Sequence, residues 1–320
     1  MKIAFRLHRT RKCLLSALLL TTIIAGIGQS SPQATVIAVP GGEIEATLPD
    51  EQLTVSSKDL LNWIKAAAEA VSLYYGRFPV RRLTLRIRSD SSSGVHGGVT
   101  YPRFGGLILV TVGKNATVAD LKDDWVLTHE MIHLAFPSMD DNHHWIEEGI
   151  STYVEPVARV RAGQITAEEM WRQFIVDMPK GQPQSGDRGL DNTHTWGNTY
   201  WGGAMFCLLA DVQIRERTHN RKGLQDALRG VLTGGGDITE DWEIERALKL
   251  GDKATGTSVL QDLYKQMRDQ HPPVDLNQLW QKLGLGLKDG HVTFTDKAPE
   301  AAIRKAITAP STAAGQAANR

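Results

Sequence analysis

One run of five residues constrains this chain more than any other: His129-Glu130-Met131-Ile132-His133. On an α-helix, residues four apart share a face, so the two imidazoles can reach one metal ion. Glu130 stands beside them, where a carboxylate can take a proton from water at that ion. Neutral imidazole and carboxylate are the usual donors of catalytic zinc, which takes three protein ligands and keeps one position open. The run works only on a helix, and residues 117–135 read as one, with Thr117 as N-cap and Asp120 three residues on.

The third ligand must come from elsewhere. A histidine six residues beyond His133 would complete the metzincin arrangement, but Met139 stands there, and Phe136 replaces the glycine that arrangement needs. His143 and His144 are close in sequence, at the expected start of a helix over 143–161, where capping or surface roles compete. The segment Trp145-Ile146-Glu147-Glu148-Gly149-Ile150-Ser151-Thr152-Tyr153 is the better source. Successive helical residues point about 100° apart, so only one of Glu147 and Glu148 can face the metal. Glu148 is the expected ligand and Glu147 the reserve. Gly149 is expected to let this helix come close to the zinc helix, and Thr152, one turn beyond Glu148, to orient a ligand.

Together these two segments resemble the gluzincin metallopeptidases, nearest to the alanyl-type and glycyl aminopeptidases and their peptidase MA-like relatives. The resemblance implies zinc ligands at His129, His133 and Glu148, with Glu130 as general base. It continues at Tyr200-Trp201-Gly202-Gly203-Ala204, similar to the family's Tyr-x-Lys-Gly segment, which implies that Tyr200 stabilises the oxyanion. Weaker likeness extends over roughly residues 80–308, through Asp211–Thr218 and Ala298–Ile307. There are departures. Gly202 replaces the family's lysine, and Gly97-Gly98-Val99-Thr100 carries no acid where an aminopeptidase has one. His194, six residues before Tyr200, is a second candidate oxyanion donor or a loop histidine. The implied fold is α+β and thermolysin-like. A small mixed sheet lobe over about 36–115 precedes a helical lobe over about 116–308, with the zinc helix between them. The implied activity is zinc-dependent hydrolysis of peptide bonds in a peptide or protein substrate. The competing reading is a non-catalytic module that binds peptides or an envelope partner.

The rest of the sequence frames this core. Lys2, Arg6, Arg9, Arg11 and Lys12 precede an apolar run, Leu14 to Gly28, too short for the roughly 20 residues of a membrane span. Residues 1–30 therefore read as a cleaved secretory signal, and the product as periplasmic or extracellular; membrane attachment follows only if cleavage fails. Cys207 is then the one cysteine left, in an apolar run that suggests a buried thiol. Lysine plus arginine and aspartate plus glutamate both total 36 in 320 residues, so there is no basic excess to favour nucleic acid. Alternation predicts strands at 43–48 and 83–88, 107–112 reads as a central strand, and a short strand is expected at 291–295. Residues 31–35 read as a flexible start, and Gly94–Gly106 as a turn or an edge strand. Helices are expected behind Ser56 and at 166–177, 199–218, 222–232, 239–250, 258–269, 276–283 and 299–307. A disordered tail is expected over 309–320.

Overall fold

Alternating stretches become strands, and the helices gather around them. The computed structural model describes residues 34–270 and 272–310. The segment read as an export signal lies outside the described residues, as does the tail beyond 310. Among the described residues no helix is long and apolar enough to cross a membrane.

Strand β2 (Gly42–Thr47) buries Ile44 and Ala46, and β3 (Arg82–Asp90) buries Leu83, Leu85 and Ile87 while Arg82, Arg86 and Arg88 stay exposed. Two further strands complete the sheet next to β5 (Leu107–Gly113) and β2. The Gly-rich segment forms an edge strand, β4 (Val95–Tyr101), antiparallel to β5, with a shift of register between His96 and Gly98. Strand β1 (Thr35–Val39), which the sequence reading does not include, begins at the last residue of the stretch expected to be a flexible start. Pro40 and Gly41 turn the chain so that β1 pairs antiparallel with β2, burying Ile37. The sheet order is β1-β2-β3-β5-β4, with β2–β3 and β3–β5 parallel. It is a small mixed sheet, and a helical region follows.

Helix α1 (Ser57–Tyr75) starts at a capping box between Ser56 and Asp59 and ends at Gly76, whose φ of 86° suits glycine. The helix expected over 117–135 is two helices, α2 (Val118–Asp123) and α3 (Val126–His133). The break is chemical. The Asp124 carboxylate accepts from the backbone N–H groups of Val126 and Leu127, at 2.9 and 3.1 Å, and so starts α3 afresh. The same carboxylate accepts from the Trp63 indole of α1 at 2.9 Å, which fixes α3 against α1. Helix α3 packs on β4 and β5 on one side and on α4 (His144–Arg161) on the other, so it lies between sheet and helical region.

Next come α5 (Ala167–Asp177), a short 3₁₀ turn (Met178–Gly181), a π-helical turn (Gly197–Gly202), α6 (Gly203–Arg217) and α7 (Leu224–Thr233). The helix expected at 239–250 begins later, as α8 (Ile244–Thr255). Asp237 accepts from the Thr239 N–H in a turn, and Ser138 pairs with Glu240 and Trp242 through the backbone, which keeps that stretch extended. Helices α9 (Val259–Met267) and α10 (Leu276–Leu283) lead into a hairpin of β6 (Leu285–Lys288) and β7 (His291–Phe294), then α11 (Ala301–Ile307). Strand β6, which was not expected, pairs antiparallel with β7.

Candidate metal centre

Helix α3 carries His129, Glu130 and His133. All three are largely enclosed, because the helix is sandwiched between the sheet and α4. From α4, Glu148 reaches the same point. Its Oε2 lies 3.1 Å from His129 Nε2 and 3.7 Å from His133 Nε2. One donor atom from each of the three lies within 4.8 Å of the others. Donors of a tetrahedral zinc at bond lengths of about 2.0–2.2 Å stand roughly 3.3–3.5 Å apart, so this spacing suits such an ion. The protonation states also suit it. Burial, then the neighbouring His129, pushes His133 down to about 3, leaving a neutral imidazole. Burial alone would raise Glu148, but the contacts with His129 and His144 outweigh it and hold the carboxyl well below its usual range.

The other candidates face elsewhere. Glu147 accepts from the Met139 backbone N–H at 3.3 Å and pairs with His144 at 3.1 Å. His144 is not one of the converging donors. Its Nε2 lies 3.2 Å from Glu148 Oε1, the oxygen turned away from His129 and His133, and its bonds to Glu147 and Glu148 push it up to about 10. His144 thus braces Glu148 on that second oxygen. His143 turns to Tyr264 and Asp191. Among the described residues the Thr152 hydroxyl has no hydrogen-bond partner, so the expectation that it orients a ligand is not met. Gly149 does permit a close approach, but the neighbour is α6. A Cβ at Gly149 would lie 2.4 Å from the Gly203 backbone.

Glu130 faces the edge strand. Thr100 Oγ1 lies 2.6 Å from Glu130 Oε2 and 2.9 Å from the Glu130 backbone carbonyl. Gly98, two residues back on the same face of β4, leaves room for the side chain, since a Cβ there would lie 2.5 Å from Glu130 Cγ. Burial raises the Glu130 carboxyl above its ordinary value, and the Thr100 hydrogen bond opposes this. Tyr200 sits on the π-helical turn, its ring stacked on His129 with centroids 6.4 Å apart. Burial, then the Glu148 and Glu130 charges, pushes its phenol up to about 12, so it stays a donor near neutrality. His194 is exposed in the loop before that turn. Sequence reasoning did not identify the roles of Thr100 and His144. In the sequence Thr100 reads only as part of a strand without an acid, and His144 as a candidate ligand.

No protein-family model matches this sequence, and no curated protein matches it either. Solved structures do. The chain is similar to an aminopeptidase N family protein from Idiomarina loihiensis, with a TM-score of 0.60 and 11% identity over 80% of this chain and 49% of that one. It is also similar to a mutant of an M1 zinc metallopeptidase from Deinococcus radiodurans, with a TM-score of 0.50 and 13% identity over 75% of this chain and 53% of that one. The chain spans about half the length of each of these proteins. Its α+β architecture is therefore the M1 zinc metallopeptidase fold, with a His–His–Glu cluster able to hold a metal where α3 meets α4.

Proposed function

We propose that the chain is a zinc-dependent metallopeptidase that hydrolyses peptide bonds, with His129, His133 and Glu148 as ligands and Glu130 as general base. The observation that carries this reading is the convergence of three enclosed donors, two imidazoles and one carboxylate, with a second carboxylate, Glu130, beside them on the helix of both histidines. Zinc held there would polarise the scissile carbonyl and lower the pKa of bound water toward about 7. Glu130 takes the proton of the attacking water and returns it to the leaving amine, a contribution of typically 10²–10⁴-fold. Thr100 occupies one carboxylate oxygen of Glu130 and leaves the other for water. The Tyr200 phenol, protonated near neutrality, donates to the oxyanion that forms at the carbonyl. Residues 1–30 fit export, which would place the reaction in the periplasm or outside the cell.

The test is metal analysis of the purified protein together with digestion of a broad peptide library. One equivalent of zinc and cleavage in the library are expected. Glu130→Gln is expected to keep the zinc and lose nearly all hydrolysis. Full zinc occupancy without any cleavage by the wild type would favour the non-catalytic peptide-binding module instead.

A further inference from the structure

The region beside the cluster opens into a cavity of about 670 Å³, within the range usual for small-ligand sites. His129 and Tyr200 belong to its wall, so cavity and metal centre are continuous. A row of rings runs outward from there. Trp125 stands edge-on to His129 at 5.5 Å, and Trp196 stacks on Tyr200 at 5.9 Å with 28° between planes. Trp125 is 53% exposed and Trp196 59%, although both line the cavity. The Lys180 ammonium lies 5.8 Å from the Trp196 ring and 6.0 Å from Trp201, and helps to hold Trp196 in place.

The charges of the lining are already satisfied. Glu155 pairs with Arg159 at 3.0 Å, Asp177 with Lys180 at 2.6 Å, and Glu169 accepts from the Thr166 N–H at 2.6 Å. Asp123 and Arg172 are exposed to water. What the wall leaves open is ring surface on Trp125 and Trp196, together with the Thr152 hydroxyl, which has no hydrogen-bond partner among the described residues. Exposed aromatic faces beside a reaction centre are completed by another flat apolar group, which gains both area and ring-to-ring geometry.

We propose that this cavity is the subsite for an aromatic side chain adjoining the scissile bond, and that Trp125 and Trp196 determine that specificity. The proposal rests on the peptidase reading for its substrate, but not for its test. Zinc-loaded Glu130→Gln protein would be titrated by calorimetry with three sets of otherwise identical blocked peptides, in which one position at a time carries Phe, Ala or Lys. At one position Phe is expected to bind about tenfold tighter than Ala, the effect of one favourable aromatic contact, and tighter than Lys. In a Glu130→Gln/Trp196→Ala protein of equal zinc content that ratio should fall toward one, and Trp196→Phe should restore most of it. In the wild type, kcat/KM for the same peptides should follow the same order. Equal binding of the three peptides at every position, or a preference untouched by both Trp125→Ala and Trp196→Ala, would overturn the proposal. A Phe preference that depends on Trp196, in a wild-type protein that cleaves nothing, would uphold the subsite and reject the peptidase reading.

Discussion

Glu130 is held from the side of the sheet, and the group that holds it is neutral. Thr100 fixes the carboxylate without adding charge, so the proposed base keeps its affinity for a proton while losing freedom to rotate. Thr100→Val keeps the shape and removes the hydroxyl. We expect kcat to fall roughly tenfold to a hundredfold, as for a lost hydrogen bond to a charged group, with KM little changed and Thr100→Ser restoring most of the rate. An unchanged kcat in the valine variant would mean that packing alone positions Glu130. On the π-helical turn, Tyr200→Phe removes one hydroxyl from a ring that still stacks on His129. Its zinc content should persist while kcat drops on the order of 10²–10³; a drop confined to KM would make Tyr200 a binding residue. The histidine pair and the Thr100 contact differ in how far the sequence reveals them. The spacing of His129 and His133 is local, and a helix alone puts them on one face. The Thr100 contact joins a strand to a helix 30 residues away, and neither segment carries a signal of the other.

Two glycines set the distance between the elements that carry Glu148 and Tyr200. Gly149 follows Glu148 directly, and Gly203 lies three residues beyond Tyr200. A Cβ on Gly203 would meet the Trp145 carbonyl oxygen at 2.2 Å and Gly149 Cα at 2.7 Å, both backbone atoms that cannot swing aside. Helix α6 therefore touches α4 backbone to backbone, and the π-helical turn ahead of α6 is carried toward the cluster. Gly203→Ala should cost about 1–3 kcal/mol, the usual range for overpacking, read as a lower urea midpoint. It should also lower kcat in molecules that remain folded, since Tyr200 moves relative to Glu148. Full activity in a destabilised variant would separate the packing from the chemistry. Patterning located most helices but not this contact, because Gly149 read as a close approach without naming its neighbour. The break at Asp124 and the late start of α8 escaped for a related reason. In both places, hydrogen bonds from a side chain or a distant backbone segment override a periodicity that continues across them.

The apolar core of the whole molecule is continuous from Ile37 in the sheet to Ile307 in the last helix, and the His–His–Glu cluster lies beside it. The fold does not depend on a metal in the way a small zinc module does. Chelation should abolish hydrolysis and lower Tm while the far-ultraviolet circular dichroism spectrum stays native, because a bound ion stabilises only by mass action, about 2.7 kcal/mol at a hundredfold excess over Kd. The metal-free protein should then show the strain of its empty-handed ligands in acid. Burial keeps His133 unprotonated down to about 3, against 6.5 for a free imidazole. Between those values the unfolded chain binds a proton at this residue and the folded chain does not. The contribution of His133 is therefore present above pH 6.5 and is lost as the pH falls toward 3. Urea midpoints of the chelated protein should drop between pH 7 and pH 5, and His133→Gln should flatten that drop because its side chain does not titrate. An equally steep fall in the glutamine variant would show that His133 is protonated within the fold and that other groups cause the acid sensitivity.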